Sequence, residues 1–134
     1  MKKKLLIALY WFLTLTWGSL MSIVSLVMFL VELLMKKKPF IFNGEIGFDN
    51  DSDYGFNLGW CFTSCCVSLF LHESGHGIQN AIYGPFAIFI VYIPSVVRYW
   101  YYKLVLKNKW STYNDAWFEK QATEWGTKWA TLVK

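Results

Sequence analysis

The sequence predicts an all-helical protein embedded in a lipid bilayer, and three observations predict it. One is an apolar run of thirty-one residues, Leu5 to Met35, which holds a single formal charge, Glu32, and is bracketed by Lys2-Lys3-Lys4 and Lys36-Lys37-Lys38. Another is a second long apolar stretch that starts at Gly59 and is stopped at Gly84-Pro85. The last is composition. The chain is 55% hydrophobic and only 16% charged, where soluble domains are about a quarter charged. Its eight Trp, eight Tyr and eleven Phe exceed what the core of a 134-residue chain can hide, whereas amphipathic rings are favoured at the headgroup level of a membrane.

Taken in order, the elements of a single integral membrane domain over residues 1–134 are as follows. Residues 5–35 read as a transmembrane anchor, because a helix of that length runs about 46 Å against a hydrocarbon core of about 30 Å. A cleaved signal peptide would have a shorter apolar region and a small-residue cleavage site, neither of which is present. With three lysines at each end, the positive-inside rule gives no orientation. Residues 40–58 combine aromatic and β-branched residues with a turn-rich Asp-Asn-Asp-Ser-Asp centre and predict a polar hairpin or loop outside the hydrocarbon. Asp49, Asp51 and Asp53 alternate as in a calcium loop but lack its glycine and terminal Glu, so a solvated acidic turn is expected.

Residues 59–83 predict the second long helix, ended by Gly84-Pro85. Residues 86–97 are apolar but too few for a regular span and contain Pro94, which fits a re-entrant or interfacial segment. Arg98 to Trp110 mixes aromatics with lysines, as interface belts do. Residues 111–132 read as a C-terminal amphipathic helix, with Ser111 or Asn114 as its N-cap.

Charge and cysteine usage exclude some classes of function. The net charge of +4 lies in lysine clusters beside apolar runs, not in the basic stripe that nucleic acid requires; no nucleic-acid partner is expected. Cys61, Cys65 and Cys66 are an odd set in one cluster and make no disulfide framework. They read as buried thiols in a helix.

Both histidines of the chain fall in one run, His72-Glu73-Ser74-Gly75-His76. On a helix the i, i+4 spacing puts His72 and His76 on one face, able to share a metal ion, with Glu73 about 100° round and in reach of a water at that ion. Solvated histidines at a helix end emerging from the bilayer are the competing reading. Yet ionisable groups preceded by some fourteen mostly apolar residues are costly at such a depth and usually face a cavity or partner. A catalytic zinc site takes three protein ligands and leaves one place open. Cys65 lies about 10 Å before His72 along the same expected helix. In the last helix Glu119 shares its face with Asp115, Ala122, Thr123, Gly126 and Ala130, mostly small residues that allow close helix approach. Glu124 lies opposite, in a row with Lys120 and Lys128. Glu119 is therefore the expected third ligand. Asp115 is either a partner that orients a ligand histidine or a first-turn helix charge. Gln79, Asn80 and Tyr83 extend the histidine stripe, either lining the cleft or making contacts between helices. Tyr113 is more an interface residue than an oxyanion donor, and Ser74 has no separate His base.

These residues resemble a family. The run from His72 to His76, followed by Glu119-Lys120-Gln121-Ala122, is similar to the gluzincin membrane metallopeptidases, whose pattern is H-E-x-x-H on one helix and E-x-x-A, often followed by Asp, on a later one. The stretch through Gly75, Gln79, Gly84-Pro85 and Pro94-Ser95 also resembles small bacterial membrane proteins with an H-E-x-G-H motif. The resemblance covers about residues 57–126. It implies a bacterial inner-membrane location and a zinc metalloendopeptidase with Zn2+ on His72, His76 and Glu119 and with Glu73 as general base. Thr123 departs from the pattern where the family often has Asp. A neighbouring resemblance, to site-2 intramembrane proteases, rests on His72 through Gly84; those take their third ligand from a Leu-Asp-Gly motif, and here the only downstream Asp is Asp115. The expected partners are a peptide or membrane-protein substrate and the bilayer, with a subunit of the same chain as a further possibility. A non-catalytic zinc-binding or adaptor protein is the expectation from another class.

Overall fold

The computed structural model describes residues 2–51, 54–107 and 110–134. It is mostly helical, with five α-helices, but it also contains a small mixed sheet, which the all-helical expectation lacked. Helix α1 covers Lys2–Thr16 and α2 covers Ser19–Leu34. The anchor expected over 5–35 is thus two helices, and the chain turns through 97° between them. The break lies at Trp17-Gly18. A Cβ at Gly18 would come within 2.6 Å of the Asn80 side chain, so this glycine admits a close neighbour. Across the break the Ser22 hydroxyl donates to the Thr14 carbonyl at 2.7 Å. No single helix among the described residues is long and apolar enough to cross a membrane.

Strands β1 (Pro39–Phe42) and β2 (Glu45–Asp49) form an antiparallel hairpin. Its turn is Asn43-Gly44, both at positive φ (53° and 89°), the two-residue turn whose twist matches that of the strands. The expected hairpin exists, but its turn is not the Asp-rich segment. Asp49 and Asp51 are exposed, as a solvated acidic turn requires, and Asp53 lies outside the described residues. Strands β3 (Phe56–Asn57) and β4 (Cys61–Ser64) complete a sheet in the order β1-β2-β4-β3, with β2 and β4 parallel.

Strand β4 is buried at every position. Because Thr63 and Ser64 are buried along with Cys61 and Phe62, the segment lacks the polar–apolar alternation of a half-buried strand, and periodicity does not separate it from the helix that follows; that is why residues 59–83 read as one helix. Helix α3 instead begins at Val67 and runs to Tyr83. The cysteines follow this correction. Cys61 is buried in β4, where burial pushes its thiol up to about 12, Cys65 is half-buried, and Cys66 is exposed just before α3.

After Gly84 the chain turns through 118° relative to α3 and stays helical as far as Leu106. That is longer than the short segment expected over 86–97. It is irregular: π-helical at Ile88–Tyr92, α-helical at Ile93–Tyr101 (α4), and π-helical again at Tyr102–Leu106. Pro94 lies at the junction of the first π-helical segment and α4, where the regular i→i−4 bonding is already interrupted. Helix α5 covers Trp117–Leu132 and is preceded by a 3-10 segment, Trp110–Asp115. Ala116, with extended backbone (φ −61°, ψ 140°), starts α5. Neither Ser111 nor Asn114 is therefore the N-cap.

The sheet sits in the mouth of the V made by α1 and α2. Trp60 donates its backbone N–H to Ser25 Oγ at 3.1 Å and its indole N–H to the Ser22 carbonyl at 3.1 Å. From the other arm, Trp11 donates to the Gly44 carbonyl at 2.8 Å and Tyr10 to the Gly59 carbonyl at 3.2 Å. Helix α3 lies behind the sheet and α5 is packed along α3.

Candidate metal centre

The site is built where α3 and α5 touch backbone to backbone. A Cβ at Gly75 would fall on the Ala122 carbonyl, and one at Gly126 on the Leu71 carbonyl. With Ala122 fully buried between them, this row of small residues lets the helices approach closely. The close approach brings Glu119, in the first turn of α5, against the histidine face of α3.

Glu119 Oε2 lies 3.1 Å from His72 Nε2 and 3.3 Å from His76 Nε2. Ligand atoms on a tetrahedral zinc ion, with bonds of about 2.0–2.1 Å, stand about 3.3 Å apart, and the two separations to Glu119 Oε2 are close to that spacing. His72, His76 and Glu119 form a group able to hold a metal ion, their ligand atoms all lying within 4.8 Å of one another. Ser95, on α4, donates its hydroxyl to the other carboxylate oxygen, Glu119 Oε1, at 2.7 Å. Burial works to raise the carboxyl of Glu119, but the two imidazoles and Ser95 outweigh it and hold the group well below the usual carboxylate range.

The outer nitrogens of both rings are also engaged. His76 Nδ1 is 2.8 Å from Gln79 Oε1. Gln79 Nε2 donates to the Phe118 carbonyl at 2.8 Å and to Gln121 Oε1 at 3.1 Å. Because a carbonyl can only accept, the amide of Gln79 is oriented with its oxygen toward the ring, and His76 Nδ1 carries the proton. His72 Nδ1 is 2.9 Å from Thr123 Oγ1, whose hydroxyl reaches the Glu119 carbonyl at 3.3 Å. With that hydrogen donated to the carbonyl, the oxygen accepts from His72 Nδ1–H. With both Nδ1 atoms engaged, it is the Nε2 atoms that face Glu119 Oε2. Three electron-rich atoms that converge so closely repel one another unless a cation or bound protons lie among them. The donor set fits a metal on this ground.

Of the other residues singled out from sequence, Glu73 is 3% exposed and lines the same cavity as His72, His76 and Glu119. Its Oε2 is buried without a hydrogen-bond partner among the described residues, and its backbone carbonyl accepts from Asn57 Nδ2 at 2.8 Å. Asp115 is not at the site. Its side chain is 61% exposed and lies 3.7 Å from Lys120 Nζ, because the chain before Trp117 departs from the α5 helical face. Asn80 is buried elsewhere, against Gly18 at the break between α1 and α2. Tyr83 donates to Gln121 Oε1 at 2.8 Å and so holds the far end of the Gln79 network. Ser74 donates to Glu45 Oε1 at 2.8 Å. Tyr113 lines the cavity and reaches the Ser95 carbonyl at 3.4 Å. Glu124 is exposed.

Sequence reasoning missed Thr123, Ser95 and Glu45. Thr123 lies four residues after Glu119, on the same face, which was the signal available. Ser95 and Glu45 had no such signal. Glu45 is fully buried in β2, accepts from Ser74 and, at 3.3 Å, from Asn57, and is pushed well above its ordinary pKa by burial. It fastens α3 to the sheet directly behind the histidine motif.

The cavity beside the site has a volume of about 890 Å³. Strand β3 and α3 form one wall, and Val96, Tyr99, Trp100 and Lys103 form another. Compared with family models, curated proteins and solved structures, the chain matches none of them.

The Thr123 contact can be tested directly. On the expectation of a zinc ion held by His72, His76 and Glu119, Thr123→Val should weaken its binding by about 10- to 100-fold, the usual cost of losing an outer partner of a ligand histidine, whereas Thr123→Ser should preserve it. Competition with a chromophoric chelator measures both.

Proposed function

We propose that this chain is a membrane-associated, zinc-dependent metallopeptidase with His72, His76 and Glu119 as metal ligands and Glu73 as general base. The observation that carries the reading is the convergence of two imidazole Nε2 atoms on one buried carboxylate oxygen, with both Nδ1 atoms occupied by Gln79 and Thr123. A structural zinc site is usually closed by four protein ligands, while a catalytic one has three and an open position. Three ligands beside a cavity belong to the second kind.

A zinc ion in such a site supplies Lewis acidity, which polarises a scissile carbonyl and makes water a stronger acid. The protein's own groups do the rest. Glu73, buried at the cavity wall, is placed to take a proton from water and to return it to the leaving amine. Ser95 holds Glu119 in orientation through the oxygen not shared by the imidazoles. The aromatic and aliphatic wall of the cavity accepts an apolar segment of peptide and keeps bulk water out.

The lysine-flanked apolar runs support a bilayer location for this activity, and the resemblance noted above adds a bacterial inner membrane. The site-2 reading is less well supported, since it needs a downstream Asp as ligand and Asp115 lies in solvent.

Zinc stoichiometry decides the metal half of this reading. Protein purified in detergent is expected to hold about one zinc per chain by elemental analysis, and Glu119→Ala to lose most of it. Full retention by Glu119→Ala would move the third ligand elsewhere, and no zinc in the wild type would return His72 and His76 to a structural role.

A further inference from the structure

Two bent helical pairs meet at their bends. The first runs from Lys2 to Leu34 and turns at Trp17-Gly18; the second runs from Val67 to Leu106 and turns at Gly84–Ala87. Trp17 lies against the second bend, its indole N–H donating to the Ile82 carbonyl at 3.1 Å and its ring 6.2 Å from that of Phe86. Gly84 has a left-handed φ of 57°, and a Cβ there would collide with the Trp17 ring. The two bends are thus built to fit one another.

Around this junction the surface is apolar. Leu15, Trp17, Leu20, Ile82, Phe86 and Phe89 are each 47–70% exposed. No Asp, Glu, Lys or Arg occurs from residue 5 to 31 or from 74 to 97. The cations lie at the open ends: Lys2–Lys4 and Lys36–Lys38 on the first pair, Arg98, Lys103 and Lys107 on the second. Glu32, the acidic residue nearest the first set, is neutralised by Lys37 at 2.7 Å.

We propose that both pairs are re-entrant: they dip into a single leaflet of the bilayer with the Trp17–Phe86 junction deepest, and every lysine cluster returns to the same headgroup surface. The dimensions agree. Helices α1 and α2 are about 22–24 Å long, and with a 97° turn between them they reach a depth of roughly 17 Å, close to half of the 30 Å hydrocarbon core. Each is too short to cross alone. At the bends the Gly18 N–H donates to the Leu13 carbonyl at 2.9 Å, the Gly84 N–H to the Asn80 carbonyl, and the Ile82 carbonyl accepts from Trp17, the kind of pairing that non-helical backbone at that depth needs, and the basic open ends suit anionic headgroups. Along the second pair, Glu73, His76 and Arg98 stand some 11–14 residues from the bend, at roughly the headgroup boundary. The cavity beside them would then open where a membrane-bound peptide meets water.

This inference rests on the bilayer part of the proposed function and not on its chemistry, so its test reads topology alone. Right-side-out and inside-out membrane vesicles from expressing bacteria are washed with alkaline carbonate. They are then labelled with a membrane-impermeant sulfonated succinimidyl ester, and the modified lysines are located by mass spectrometry. The expected result is carbonate-resistant protein in which Lys2–Lys4 and Lys36–Lys38 label from the same side, at least tenfold more than in vesicles of the other orientation. Labelling of the two clusters from opposite sides overturns the single-leaflet topology while leaving the bilayer in place. Release of the chain by carbonate, alone or self-associated through the apolar cap, overturns the bilayer reading itself.

Discussion

Glu73→Gln is expected to lower peptide hydrolysis by about 10²- to 10⁴-fold, the contribution of a positioned general base, with zinc stoichiometry unchanged. The substitution keeps the size and planarity of the side chain and removes only its ability to take a proton. Space around Glu73 is limited, since a Cβ on Gly55 would lie 2.8 Å from Glu73 Oε1, so the isosteric change is the informative one. Its backbone carbonyl, which holds Asn57, is unaffected. Cleavage of a quenched fluorescent peptide library in detergent, with zinc measured on the same samples, separates the roles. Hydrolysis within tenfold of wild type, with zinc retained, would remove Glu73 from the mechanism.

The second large effect concerns the contact between α3 and α5. Helix propensity alone makes Gly126→Ala stabilising by about 1 kcal/mol. Packing predicts the opposite sign, because a Cβ at Gly126 falls on the Leu71 carbonyl, which is backbone and cannot rotate away. Separating the helices also moves Glu119 from His72 and His76. The expected result is a loss of about 3 kcal/mol or more, a fall in Tm of roughly 10 °C, and much weaker zinc binding. Glu124→Ala, on the exposed face of the same helix, should change stability by no more than about 0.5 kcal/mol. A stabilised Gly126→Ala would mean that the helices are not in backbone contact there.

Much of the site could be read from residue order because its parts are local. His72 and His76 are four apart on one helix, and Glu119, Ala122, Thr123 and Gly126 share a face of another. The 3.6-residue period alone sorts Glu119 from Glu124. The same logic did not decide between the two readings of Asp115 and of Asn80, and neither side chain is at the site. Asp115 precedes the first helical residue, so extrapolating the α5 face to it was wrong, and Asn80 turned toward Gly18 because the bend in the first pair brought a glycine there.

Local pattern also determined the presence of helices, of lysine-flanked apolar runs and of a hairpin with aromatic strands. Tertiary structure alone decided that the first apolar run bends at Trp17-Gly18, that Cys61–Ser64 is a strand, and that Ser95 and Glu45 support the site from distant positions. The physical reason is the range of the interactions. Helix face and turn chemistry depend on neighbours within a turn or two, whereas a buried strand, a bend against another bend and a hydroxyl on a remote carboxylate exist only when separate segments meet.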